Sequence, residues 1–64
     1  MTREEFTSGK TFTFEDNDTD SYRFDGTNLT GDLPCTLNSV GQDSIVITVN
    51  NETQTILFST LVLS

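Results

Sequence analysis

The sequence predicts an all-β domain: a small antiparallel sheet or barrel of about five strands behind a short N-terminal helical turn. Three observations carry that expectation. The 64 residues include no alanine, while Thr, Val, Ile and Phe, which suit a pleated and half-buried surface, are abundant. Apolar residues recur with a period of two in several short runs. Gly, Asn and Asp punctuate those runs at turn-like intervals. Residues 1–64 read as a single domain, with no linker, internal repeat or low-complexity tract.

The helical signal lies at the start. Thr2-Arg3-Glu4-Glu5 matches a capping box, Met1 and Phe6 are placed as a hydrophobic staple, and Gly9 supplies the stop. One or two turns are expected from Arg3 to about Ser8.

In "KTFTFED", Phe12 and Phe14 share one face, and in "SYRFDG" so do Tyr22 and Phe24. A hairpin that sets Phe14 opposite Tyr22 and Phe12 opposite Phe24 requires an odd loop, either Asn17-Asp18-Thr19 or Asp16 through Asp20. The aromatic face is expected to be core. Its alternative use is to line a small-ligand pocket in a barrel.

Further on, Leu33, Cys35 and Leu37 share a face, and Pro34 on the other parity predicts an edge strand, because proline cannot donate to a ladder. The run "SIVITVNNETQTILFSTLVLS" reads as two strands around an Asn-rich turn. Ile45, Ile47 and Val49 face Ile56 and Phe58. A turn at Asn51-Glu52, or one widened to Asn50 through Thr53, sets Ile47 opposite Ile56 and Ile45 opposite Phe58. After Phe58 the parity changes, since Leu61 and Leu63 fall on the opposite face. Either a β-bulge at Ser59-Thr60 brings both sets to one core, or the strand is apolar on two faces and overhangs to meet another chain. In the second case Leu57, Leu61 and Leu63 form an oligomer interface.

The charge is uneven. Ten acids against three bases give a net charge of -7. Between Glu15 and Asp32 lie Glu15, Asp16, Asp18, Asp20, Asp25 and Asp32, with Arg23 the one base among them. Such a field repels phosphate backbones and anionic lipid, so neither direct nucleic-acid binding nor membrane binding is expected. It favours a basic partner and steers encounter with one.

The alternation Asp16, Asp18, Asp20 resembles the start of a calcium loop, but counted from Asp16 the sixth position, which needs glycine, holds Ser21, and the twelfth, which needs a bidentate Glu, holds Thr27. The stretch is therefore expected to be a solvated hairpin tip, with no metal and no cofactor. Zinc ligation within one chain is excluded by the absence of histidine beside the single cysteine, Cys35. Without a histidine to activate it, Cys35 is expected to be a small core residue, not a nucleophile. Gly9-Lys10-Thr11 ends like a phosphate loop but lacks the earlier glycine. A noncatalytic role is expected.

The free thiol and the charged N-terminus "MTREEFTSGK" suit a cytoplasmic protein. A domain this small buries only about 60% of its unfolded surface, which makes self-association a natural aid to stability. Three functional expectations follow. The first is an acidic protein-binding module, an inhibitor that occupies a basic, nucleic-acid-binding surface of its partner through the six acids. The second is a self-assembling structural module that forms a homo-oligomer through its C-terminal strand. The third is a small-ligand-binding barrel.

Overall fold

A computed structural model describes residues 1–64. The chain forms a five-residue helix α1 (Arg3–Thr7) and seven strands: β1 (Phe12–Thr13), β2 (Tyr22–Phe24), β3 (Leu29–Gly31), β4 (Thr36–Val40), β5 (Ser44–Val49), β6 (Glu52–Leu57) and β7 (Val62–Leu63). They make two antiparallel sheets, one ordered β3-β2-β1-β7 and the other β4-β5-β6. The all-β expectation and the helical turn hold. The strands number seven, not about five, and they do not close into a barrel.

The helix forms as its capping residues dictate. Thr2 Oγ1 accepts from the Glu5 backbone N–H at 3.1 Å, and Glu5 Oε1 accepts from the Thr2 N–H at 2.7 Å. Both bonds satisfy donors that a helix start leaves without partners. At the other end Gly9, with φ +87°, turns the chain out of the helix in a conformation that side chains resist. Between these stops Phe6 is driven fully inside, its ring 5.6 Å from Phe12, 5.1 Å from Phe24 and 5.4 Å from Phe58. The core consists of Phe6, Phe12, Tyr22, Ile45, Ile47, Phe58 and Leu61, with both sheets and the helix contributing. Burying each such side chain is worth about 1.5–3 kcal/mol.

The first hairpin keeps its expected faces but not its expected register. Phe12 pairs with Tyr22, so the pairing of Phe12 with Phe24 and Phe14 with Tyr22 is corrected by two residues. The chain leaves the ladder after Thr13, whose Oγ1 donates to Glu15 O at 2.9 Å and bends the strand outward. Phe14 therefore lies in the loop, yet its ring still packs on Tyr22 at a centroid distance of 4.9 Å.

The second hairpin is shifted in the same way. Asn50 and Asn51 both have positive φ, 51° and 65°, as a two-residue type I′ turn requires, and asparagine tolerates this better than other side-chain-bearing residues. The turn sets Val49 opposite Glu52 and hence Ile45 opposite Ile56 and Ile47 opposite Gln54. A shift of two residues leaves every side chain on the face it would otherwise occupy. The buried set is unchanged by it.

The parity change after Phe58 is resolved by a 3-10 turn, Phe58–Thr60, in place of a bulge. The Leu61 N–H bonds to Phe58 O at 3.1 Å and Thr60 Oγ1 donates to Leu57 O at 2.7 Å. Residues three apart eclipse in such a turn, so Phe58 and Leu61 both enter the core. The turn also carries the chain from one sheet to the other, where β7 pairs Val62 with Thr13 and Leu63 with Phe12. The Met1 ammonium donates to the carbonyls of Phe58 at 3.1 Å and Leu61 at 2.7 Å, tying the N-terminus to this corner.

β4 begins two residues after Pro34 and is an edge of its sheet, as the proline implies. A β-bulge at Asn38 interrupts its ladder with β5. No helix is long and apolar enough to cross a membrane.

Candidate acidic docking surface

The acidic surface is built by the loop between β1 and β2 and by the end of β3. In the loop, a turn in which the Asp18 N–H bonds to Glu15 O at 3.3 Å lifts Glu15 and Asp16 into solvent, and Asn17 adopts a positive φ of 65°. Asp18 Oδ1 then accepts from the Asp20 N–H at 3.3 Å. The second acidic segment is zipped to this one. Ser21 N–H donates to Asp32 Oδ2 at 3.0 Å, while the Asp32 N–H returns a bond to Ser21 O at 3.2 Å.

The negative charges of Asp18, Asp20 and Asp32 are all felt by one side chain. Tyr22, immediately beyond this zipper, has its phenol pushed above its ordinary pKa of 10.0, first by burial and then by the negative charge of Asp20, with Cys35, Asp18 and Asp32 adding to it. The tyrosine stays neutral at physiological pH. The tyrosine is only 6% exposed, so the carboxylates are what this surface offers to guanidinium and ammonium groups.

Asp25 is turned to a different use. Its Oδ1 accepts from the N–H groups of Thr27 at 2.9 Å and Asn28 at 2.8 Å and from Thr27 Oγ1 at 3.1 Å, and its Oδ2 accepts from Thr30 Oγ1 at 3.2 Å. These bonds, those from the Asn28 and Thr27 backbone foremost, hold its carboxyl down at about 2. Its lone pairs are engaged within its own turn, so Asp25 shapes the β2–β3 hairpin in preference to reaching for a partner. Of the six acids singled out in the sequence, Glu15, Asp16, Asp18, Asp25 and Asp32 are exposed and Asp20 is half-buried, but Asp25 alone has both carboxylate oxygens engaged within its own turn.

No three acidic or cysteine side chains converge on a point that holds a metal ion. Cys35 is half-buried beside the core, and burial pushes its thiol up, away from the thiolate that nucleophilic chemistry needs. The aromatic face is filled by its own members: Phe12 meets Phe14 edge-on at 5.6 Å and Tyr22 at 6.3 Å. Those rings are core.

The apolar trio expected at an oligomer interface is divided. Leu61 is 2% exposed, its side chain locked in the core by the 3-10 turn, and it cannot also face a neighbour. Leu57 and Leu63 are about half exposed, but they belong to different sheets. Of the three, only Leu57 on β6 and Leu63 on β7 are exposed.

Two elements that matter here escape a sequence reading. Asn28 Oδ1 accepts from the Leu37 N–H at 2.9 Å and so bonds the β3 end of one sheet to β4 of the other. Tyr22, a core residue, feels the charge of Asp18, Asp20 and Asp32. The run Asp25-Gly26-Thr27-Asn28 announces a side-chain-capped turn. Nothing local announces where its last residue reaches.

Comparison with protein-family models, with curated proteins and with solved structures returned no match.

Proposed function

We propose that this protein is a noncatalytic binding module that docks on a basic protein surface through Glu15, Asp16, Asp18, Asp20 and Asp32. The observation that supports this is the zipper between Ser21 and Asp32, which holds two acidic segments side by side at fixed spacing. Asp18 and Asp32, whose carboxylates accept backbone bonds, lose little entropy on meeting guanidinium or ammonium groups. A net charge of -7 steers such a partner in. A basic surface that ordinarily receives a phosphate backbone fits this chemistry, and occupying it blocks nucleic acid from binding there. In that sense the module acts as an inhibitor.

The test is retention of purified nucleic-acid-binding proteins with basic surfaces, alongside acidic controls of matched size, on the immobilised chain. The wild type should retain a basic member, release it as salt rises, and release it to competing DNA or RNA. A D16K/D18K/D20K variant, which alters a solvated loop, should retain its fold and lose binding at least tenfold. Retention that ignores both salt and charge reversal would refute the proposal.

A further inference from the structure

The two sheets present four edges, and three of them are blunted. β7 has two residues and β3 has three, the latter followed directly by Asp32. β4 is broken by the bulge at Asn38, preceded by Pro34, and has its Leu37 N–H already given to Asn28. Short strands, bulges, proline and charge are the usual devices by which an edge is kept from pairing. β6 is neither short, bulged nor interrupted by proline, and its one charge sits at its end.

β6 runs Glu52-Thr53-Gln54-Thr55-Ile56-Leu57, six regular residues with one charge, at the turn end. Its ladder with β5 has an alternation that can be read off. Val49 and Glu52 flank the two-residue turn, and the Phe58 N–H bonds to Asp43 O at 3.0 Å in continuation of the same register. Bonded positions therefore alternate as Glu52, Gln54, Ile56 and Phe58. Thr53, Thr55 and Leu57 point their N–H and C=O groups away from β5. Apart from Leu57 O, which takes the Thr60 hydroxyl, these outward groups have no protein partner.

We propose that this edge pairs with the same edge of a second copy of the chain, antiparallel about a two-fold axis through Thr55. The register is fixed by the outward groups. Thr55 opposes its counterpart, Thr53 opposes Leu57 of the second copy, and about six backbone hydrogen bonds form across the seam. Leu57, 51% exposed in the single chain, is then covered by Thr53 and Thr55 across the seam. Glu52 meets no acid: in this register it lies opposite Phe58, where the second copy leaves its strand. A second copy is favoured over a foreign strand because the edge is its own complement in charge and in hydrogen bonding, and two-fold pairing closes without leaving a further edge of the same kind.

An interface of one strand per copy is small, so the dimer forms in a concentration-dependent equilibrium. Salt acts on it in the direction opposite to its action on a basic partner. Each copy carries -7, and screening that repulsion strengthens self-association. Failure of this pairing and failure of the acidic docking are thus separable.

The experiment is light scattering after gel filtration over a wide concentration range at two salt levels, with thiol cross-linking to read the register. Wild type should shift from monomer to dimer with concentration, more readily at higher salt. Thr55→Lys, which sets two cations against each other on the axis while leaving the β5 ladder intact, should remain monomeric with unchanged melting. In a Cys35→Ser background, Thr55→Cys should oxidise to a covalent dimer, since opposed bonded residues lie about 5.5 Å apart, within disulfide reach. Thr53→Cys should not, its counterpart lying about 14 Å away at ~3.4 Å per residue. A wild type that stays monomeric at every concentration, a dimer that survives Thr55→Lys, or equal cross-linking at Thr53 and Thr55 would each overturn the proposal. So would a monomer that accepts only an unrelated extended peptide at β6.

Discussion

Asn28 bonds to Leu37 across the boundary between the two sheets, its side-chain oxygen accepting the Leu37 N–H at 2.9 Å. The same oxygen accepts from the Leu29 N–H at 2.8 Å, so one amide satisfies two backbone donors and takes the place of a missing ladder between β3 and β4. Asn28→Ala leaves both donors to solvent and loosens the seam. It should lower stability by about 1–2 kcal/mol in urea denaturation, whereas Asn28→Asp, which keeps the acceptor, should recover most of that loss at neutral pH. Equal losses in the two variants would show that the bond carries no weight.

Asp25 sets a pH dependence of stability whose sign follows from its depressed pKa. The carboxyl ordinarily titrates near 3.8, and the bonds from Thr27, Asn28 and Thr30 bring it to about 2 in the folded chain. Between those values the unfolded chain binds more protons than the folded one, so stability rises with pH across that window. The contribution is fully present above about pH 4 and is lost as pH falls through about 2. Thermal melts from pH 2 to pH 5 should show a steeper acid decline for wild type than for Asp25→Asn. Parallel profiles would remove Asp25 from the acid response.

Gly31 is required by the ring of Tyr22. A Cβ at position 31 would lie 2.0 Å from Tyr22 Cδ2 and 2.7 Å from the Ser21 carbonyl oxygen, too close for side chain or backbone. Gly31→Ala should cost about 1–3 kcal/mol, the usual range for overpacking. Adding Tyr22→Leu, which withdraws the ring, should make the alanine less costly than it is alone. If the two losses simply add in urea denaturation, the contact is not the cause.

The turn at Asn50-Asn51 depends on two consecutive left-handed residues. Replacing either by alanine should cost about 1 kcal/mol, while Asn51→Gly should hold or raise stability, because glycine reaches the same conformation freely. Chemical denaturation of the three variants gives the order directly. An alanine variant as stable as wild type would mean the turn relaxes to another type.

How far the sequence reveals this fold depends on which property is asked for. The faces of the strands are legible, since alternation in "TFTF" and "SIVITV" assigns Phe12, Ile45 and Ile47 to the interior by parity alone, and all three are buried. The offsets are not. Parity is satisfied equally well by registers two residues apart, and the choice falls to turn geometry at Asn50-Asn51 and to the bend after Thr13. The capping box at Thr2 and Glu5 is legible because its logic is local. The three-residue β3 is not, for it is held by Arg23, its neighbours on β2 and the Asp25 turn, with no apolar period of its own. Among the acids, clustering is visible in the chain. That Asp25 commits both of its carboxylate oxygens to its own turn emerges only from the hydrogen bonds.

The pairing of Phe12 with Leu63 and of Thr13 with Val62 places a constraint on time as well as on shape. The meander β4-β5-β6 joins neighbours in sequence, so its contacts close short loops and form fast, whereas the β1–β7 ladder must close a loop spanning most of the chain before it returns any stabilisation. On refolding, the meander can therefore assemble before β1 and β7 find each other and complete the aromatic half of the core. Pulse-labelled hydrogen exchange during refolding should find the β5 amides protected before those of β1, and simultaneous protection would place both sheets in one folding step.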